Sequence, residues 1–262
     1  MKTNRVIKIF LASSEELEAD RYRFGNLIRK LDNIYEKRGI RIELFEWEDY
    51  DAAYNGMRKQ DEYNERVRAS DMFLALFHKK AGKFTIEEFN IARKAFDKQA
   101  SPKIYTYIKD LEAGESESRE LAEFKRLMLE ELGHYWCRYS NFDTMQLHFV
   151  LQLQMVEATT PIKVEVKESQ VKIGDSTIAD LNNVPFTSEN ATYKELQSRK
   201  EQLDREIGNA ESGGRRGFFG QRSRTTDEEL ANLREERESV TEQIERQEKA
   251  LVDTAMSIAR MQ

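Results

Sequence analysis

Five short apolar runs alternate with helical patterns through residues 5–158, and this alternation leaves few folds open. The runs are VIKIFLA (6–12), IRIELFEW (40–47), DMFLALF (71–77), KIYTYIK (103–109) and HYWCRYS (134–140). They are strand-length and rich in β-branched and aromatic residues. After the first run, Leu17, Phe24, Leu27, Ile28, Leu31 and Ile34 recur at helical spacing. Ser13 or Ser14 can cap that helix, acids fill its first turn, and Gly39 is its stop signal. Further helices are expected over 57–70, 85–95 and 141–158, and one within 114–132 that ends near Gly133. Strand–helix alternation predicts a five-stranded parallel sheet with helices on both faces and right-handed crossovers. The economical arrangement is α/β and flavodoxin-like, strand order 2-1-3-4-5.

Pro161 ends this pattern. Residues 159–189 hold two short alternating runs around Glu168 and Ser169, read as a β-hairpin connector too small for a core of its own. From residue 190 the chain becomes helical and charged. Leu196, Leu203 and Ile207 form one stripe, and Leu230, Leu233, Val240, Ile244, Leu251, Ala255 and Ile258 form another. Spacings of three and four with Glu, Arg and Gln beside them suit a coiled-coil-like antiparallel helical hairpin. Its joint is the Gly-rich stretch NAESGGRRGFFGQRSRTTD (209–227). The second stripe is still running at SIARMQ without a stop, so the helix is expected to continue into further sequence. The expected division is thus 1–158, 159–189 and 190–262. The stripe near Leu251 to Ile258 outruns the first helix and needs another surface, for which a partner is expected.

Composition narrows the classes. Apolar residues make up 39% and charged residues 34%, which suits a compact part joined to a solvated helical part. A net charge of −6 supplies no electrostatic footprint for nucleic acid, and the basic, aromatic loop RRGFFGQRSR reads as a solvated turn. Cys137 is the lone cysteine, so no internal disulfide forms, and it reads as a packed thiol. His78, His134 and His148 lack metal-ligand spacing, and no metal is expected. No apolar stretch reaches the length of a membrane span, and the first residues lack a signal-peptide pattern. A cytoplasmic location is expected.

In an open parallel sheet, ligands bind outside the C-terminal strand ends at the switch point. Three segments would line that crevice here: ASSEE (12–16), EWEDYDAAYNG (46–56) and HKKAGKFTIEEF (78–89). Three passages, IKIFLASSEE, RASDMFLALF and EEFNIA, resemble the TIR family, in particular bacterial TIR-like domains that stand at the front of multidomain proteins. The resemblance covers residues 5–158. It places Glu88, four residues before Ala92, at the family's glutamate position, whereas Glu87 does not fit. GKFTIE stands where a common family pattern has Ser-x-Trp-Cys.

This resemblance implies cleavage of the nicotinamide–ribose bond of NAD, which is then a substrate rather than a bound cofactor. It implies Glu88 as the catalytic carboxylate and activation by self-association, in bacterial defence or signalling, with the 48–56 loop at the contact. Ser13, Ser14, Trp47, Phe77 and Phe84 are the candidate binding residues: hydroxyls for ribose or phosphate, rings for walls and a base. Plainer roles stand beside each. Glu87 and Glu88 suit a helix macrodipole, Ser13 and Ser14 suit N-caps, and Phe77, Phe84 and Trp47 suit packing. Two other functions fit the same pattern: a non-catalytic TIR-type interaction and signalling module, and a nucleoside-processing enzyme of similar topology.

Overall fold

The computed structural model of the chain describes residues 5–46, 59–156, 163–185, 190–213 and 224–261. Its first compact unit, residues 1–146, contains a five-stranded parallel sheet of order β2-β1-β3-β4-β5. The strands are β1 (Arg5–Ser13), β2 (Ile40–Phe45), β3 (Met72–Phe77), β4 (Lys103–Lys109) and β5 (Cys137–Tyr139). The flavodoxin-like arrangement expected from the alternation is the one present.

Central β3 has no exposed residue, as a strand covered on both faces should. Helices α1 (Glu18–Glu36), α2 (Lys59–Arg68), α3 (Lys83–Gln99) and α4 (Arg119–Arg126) make the crossovers. Gly39, at φ 78°, closes the end of α1 in a left-handed conformation that suits glycine. Phe73, Phe77, Phe89 and Phe124 are central to one core cluster, with Phe89 and Phe124 edge to face at 5.0 Å.

One element departs from expectation, and another is placed more closely within its expected stretch. The fifth strand starts at Cys137, not at residue 134. The His134 amide bonds instead to Met128 O at 2.9 Å, and its ring Nε2 lies 3.0 Å from Thr106 Oγ1, so this stretch ties back to the preceding helix end. The fourth helix starts after Ser118, whose Oγ accepts from Leu121 N, and it widens into a π-turn at Leu127–Glu131. The preceding residues are used at the strand exits instead.

The second compact unit is residues 147–262, and the division falls inside α5 (Phe142–Val156). The stretch expected to be a connector is a three-stranded antiparallel sheet: β6 (Val164–Lys167), β7 (Gln170–Ile173) and β8 (Ser176–Asp180). Its core is not its own but is shared with the long helices. Val171, Ala179, Leu181 and Val184 bury against Leu147, Leu151 and Val252.

The helices α6 (Ala191–Gly213) and α7 (Arg224–Met261) form the antiparallel hairpin. Arg234–Glu211, Arg237–Asp204, Arg199–Glu236 and Tyr193–Glu248 pair in opposite chain directions. Tyr193, Leu203, Val240 and Ile244 make its seam. Beside the end of the second stripe, Val252 packs in one cluster with Val171 and Ala179 of the small sheet and with Leu181 and Val184 after it, while the side chains of Ala255 and Ile258 lie outside the described residues. No helix among the described residues is long and apolar enough to cross a membrane.

Candidate active site

The C-terminal ends of β1 and β3 are adjacent in the sheet. At the β1 exit the chain stays extended at Ser14 and enters a 3-10 turn, Glu15–Leu17, before α1. Ser14 stands at the cap position, but its side chain accepts no capping bond from a backbone amide of the turn. The Ser14 hydroxyl donates to Glu16 Oε1 at 3.0 Å. Ser13 Oγ and the Ser14 carbonyl both accept from Arg21 Nη1 at 2.9 Å. Arg21 is 2% exposed, and a buried guanidinium must be bonded to be tolerated. These serines therefore order the loop from within.

Beyond β3 the loop carries His78, Lys79 and Lys80. Glu16 Oε1 accepts from the backbone amides of Lys79, at 3.2 Å, and Lys80, at 3.3 Å. One carboxylate thus ties the two exits together across the switch point. Glu115 joins from the β4–α4 connection. Its carboxylate pairs with Lys79 Nζ and accepts from Glu112 N, while His78 Nε2 lies 3.2 Å away. The Lys79 ammonium, seconded by that backbone bond, holds the Glu115 carboxyl below its ordinary range.

Gly82 precedes α3 and is close-packed. A Cβ built there would lie 3.4 Å from Thr85 Oγ1 and 3.9 Å from Ser14 Cβ. Ser14 and Thr85 each lie close to Gly82. Thr85, Glu88, Ala92 and Ala95 share the buried stripe of α3. Glu88 is 8% exposed, one turn beyond Thr85. Glu87 leads elsewhere and accepts from Asn64 Nδ2 of α2 at 3.2 Å. The adjacent acids, both plausible macrodipole partners by sequence, have different surroundings.

Farther along the sheet edge, buried Asp20 accepts from Lys109 Nζ at 3.0 Å and Tyr139 OH at 2.9 Å. Arg138 pairs with Asp110. These contacts fix the exits of β4 and β5.

The other predicted binding residues separate. Phe77 is wholly buried, with its ring centroid 5.1 Å from that of Phe124, so the binding-wall assignment is corrected to a core role. Phe84 is 58% exposed at the start of α3, so its packing reading does not hold and its ring remains open to a ligand. Trp47 and the 48–56 loop lie outside the described residues. Among the described residues, no group of three or more His, Cys, Asp or Glu side chains could hold a metal ion.

No family model matches the chain, and no curated protein does either. A solved structure that it resembles is a Klebsiella pneumoniae protein assigned as a quinone reductase, at 10% identity and a TM-score of 0.36, covering 70% of this chain and 95% of that one. A likeness of that order carries no argument about reaction or cofactor.

Sequence reasoning missed Glu16, Asp20, Arg21, Lys109, Glu115 and Tyr139. A signal for two of them was present. Asp20 and Arg21 fall on the α1 stripe between Leu17 and Phe24, where the spacing calls for apolar residues. Charged residues in a core stripe announce buried partners.

Proposed function

We propose that the first unit is a TIR-type, NAD-cleaving effector domain that releases nicotinamide and acts when copies associate. The supporting observation is the setting of Glu88. It is buried on the α3 stripe, one turn beyond Thr85, and Thr85 and Ser14 both lie close to Gly82 at the start of that helix. Breaking an N-glycosidic bond builds positive charge on the ribose. A carboxylate held out of water stabilises that charge more strongly than a solvated one does. Ser14 and Thr85 offer hydroxyls for the sugar, and Phe84 offers an exposed ring for a base.

The test is nicotinamide release from NAD by concentrated full-length chain. Glu88→Gln should lower turnover by about 10²-fold or more, since only the transition state needs the charge. Glu87→Gln should retain it, because glutamine keeps an oxygen for Asn64. Equal loss from both changes would refute the assignment. Specific activity should rise with protein concentration, and a flat dilution series would refute activation by association. The setting proposed is bacterial defence or signalling in the cytoplasm.

A second reading has its own observation. Ser13 and Ser14 are already engaged by Arg21 and Glu16. A non-catalytic interaction and signalling module would use the same scaffold with the crevice closed. Concentration-dependent association without nicotinamide release would select it.

A further inference from the structure

The Lys79–Lys80 backbone has the geometry of an anion seat, and the protein's own carboxylate fills it. Glu16 Oε1 accepts from both successive amides and from the Ser14 hydroxyl. Consecutive backbone N–H groups converging on one oxygen form the kind of concavity that binds phosphate and carboxylate groups. The position is also the one from which open α/β sheets take ligands, since β1 and β3 flank the switch point. Lys79, Lys80 and Lys83 concentrate positive charge along this loop, and Glu115 engages Lys79 from the opposite side. Glu16 itself is exposed, so its carboxylate can leave the seat for water without being buried elsewhere.

We propose that Glu16 is a built-in occupant of this seat, and that a phosphate-bearing ligand binds by displacing it onto the Lys79 and Lys80 amides. Ser14 Oγ, released with Glu16, becomes a third donor to the incoming oxygen. The tethered carboxylate competes at the high effective concentration of an intramolecular group, so the intact protein holds small anions weakly. This deepens the crevice assignment made above by naming the ligand group that the crevice takes, but it rests on backbone geometry and not on Glu88.

The experiment measures binding of inorganic pyrophosphate and of ADP to the full chain by calorimetry, with amide shifts of Lys79 and Lys80 followed by NMR. Glu130→Ala removes the same charge from an exposed position and serves as the control. Glu16→Ala should bind both probes about tenfold more tightly than wild type or the control, with both amides shifting. Glu16→Gln keeps an acceptor oxygen without the charge and should fall between; it carries the test if the alanine variant does not fold. Binding no tighter than in Glu130→Ala would overturn the proposal, as would tighter binding without movement of these amides. A gain for ADP with none for pyrophosphate would also overturn it, because the nucleoside would then be responsible. Adding Glu88→Gln to Glu16→Ala should leave pyrophosphate binding unchanged, so loss of NAD cleavage and loss of the anion seat are separate results.

Discussion

Raising the pH should unfold the first unit through its buried tyrosines and cysteine. Tyr107 and Tyr139 are in the core. Burial pushes both phenols well above their ordinary range, and for Tyr139 the Asp20 carboxylate adds to the effect. In the unfolded chain they ionise near pH ~10, while in the folded unit they keep their protons. The folded state then binds more protons, so stability is intact below pH ~10 and falls above it. Each tyrosine costs on the order of 1–2 kcal/mol at pH ~11. Cys137, pushed up to about 11 by burial and then by Asp110, has the same sign and loses about 2 kcal/mol between pH ~9 and ~11. The total of about 5 kcal/mol rivals the whole stability of a small domain. Urea denaturation followed by tryptophan fluorescence reads this unit alone, because Trp47 and Trp136 are the chain's two tryptophans. Tyr139→Phe should start about 1–3 kcal/mol less stable, since buried Asp20 loses a donor. Its dependence above pH ~10 should be shallower by about 1.4 kcal/mol per pH unit. Stability that stays flat from pH ~9 to ~11, or an unchanged slope in Tyr139→Phe, would refute the reasoning.

Phe77→Ala should cost about 3–5 kcal/mol by the same denaturation assay, whereas exposed Phe84→Ala should cost almost nothing; similar losses would contradict their opposite placements. Burial lowers the pKa of His134, so the unfolded chain takes up a proton first and stability should fall as pH drops below ~6.5. His134→Gln should flatten that acid limb, and an unaltered limb would assign it elsewhere. Tyr193→Phe should destabilise the second unit by about 1–3 kcal/mol, because one hydroxyl lies 2.9 Å from both Asn182 Oδ1 and Glu248 Oε1 and accepts from Gln197. Hydrogen exchange over 164–180 and 191–213 would detect it, and unchanged protection there would refute the hub.

The sheet was legible because its strands differ sharply from their surroundings. The fourth run, KIYTYIK, coincides with β4 residue for residue, since proline precedes it and polar residues follow it. The fifth was overextended because HYWCRYS looks uniformly strand-like, while the bonds that withdraw His134 come from Met128 and Thr106. Glu88 was set apart in the sequence by what the TIR resemblance implies. Its difference in surroundings from Glu87 was not legible, because Glu87 meets Asn64 across the contact between α2 and α3, which sequence spacing does not show. Asp20 and Arg21 were hidden by composition, since EELEADR reads as an ordinary acidic helix start until the stripe is counted through it.

The second unit shows that helical periodicity alone does not identify what lies over an apolar stripe. The stripe on α7 outruns α6, and an apolar side chain left in water would cost about 1.5–3 kcal/mol. That argument demands a cover without naming one. The cover at Val252 is supplied by Val171, Ala179, Leu181 and Val184, residues in short runs that look too few to shield anything. Alone they could not, but they share the cluster with Leu147 and Leu151 from the end of α5. Tyr193 then fixes the arrangement by joining the β6–β7 turn at Ser169, the Asn182 turn and Glu248 through one hydroxyl. Glu248 is completely buried and its Oε2 has no partner among the described residues, so its stability depends heavily on that single bond. The hairpin and small sheet are thus mutually dependent: each supplies the apolar surface and the polar partner that the other lacks.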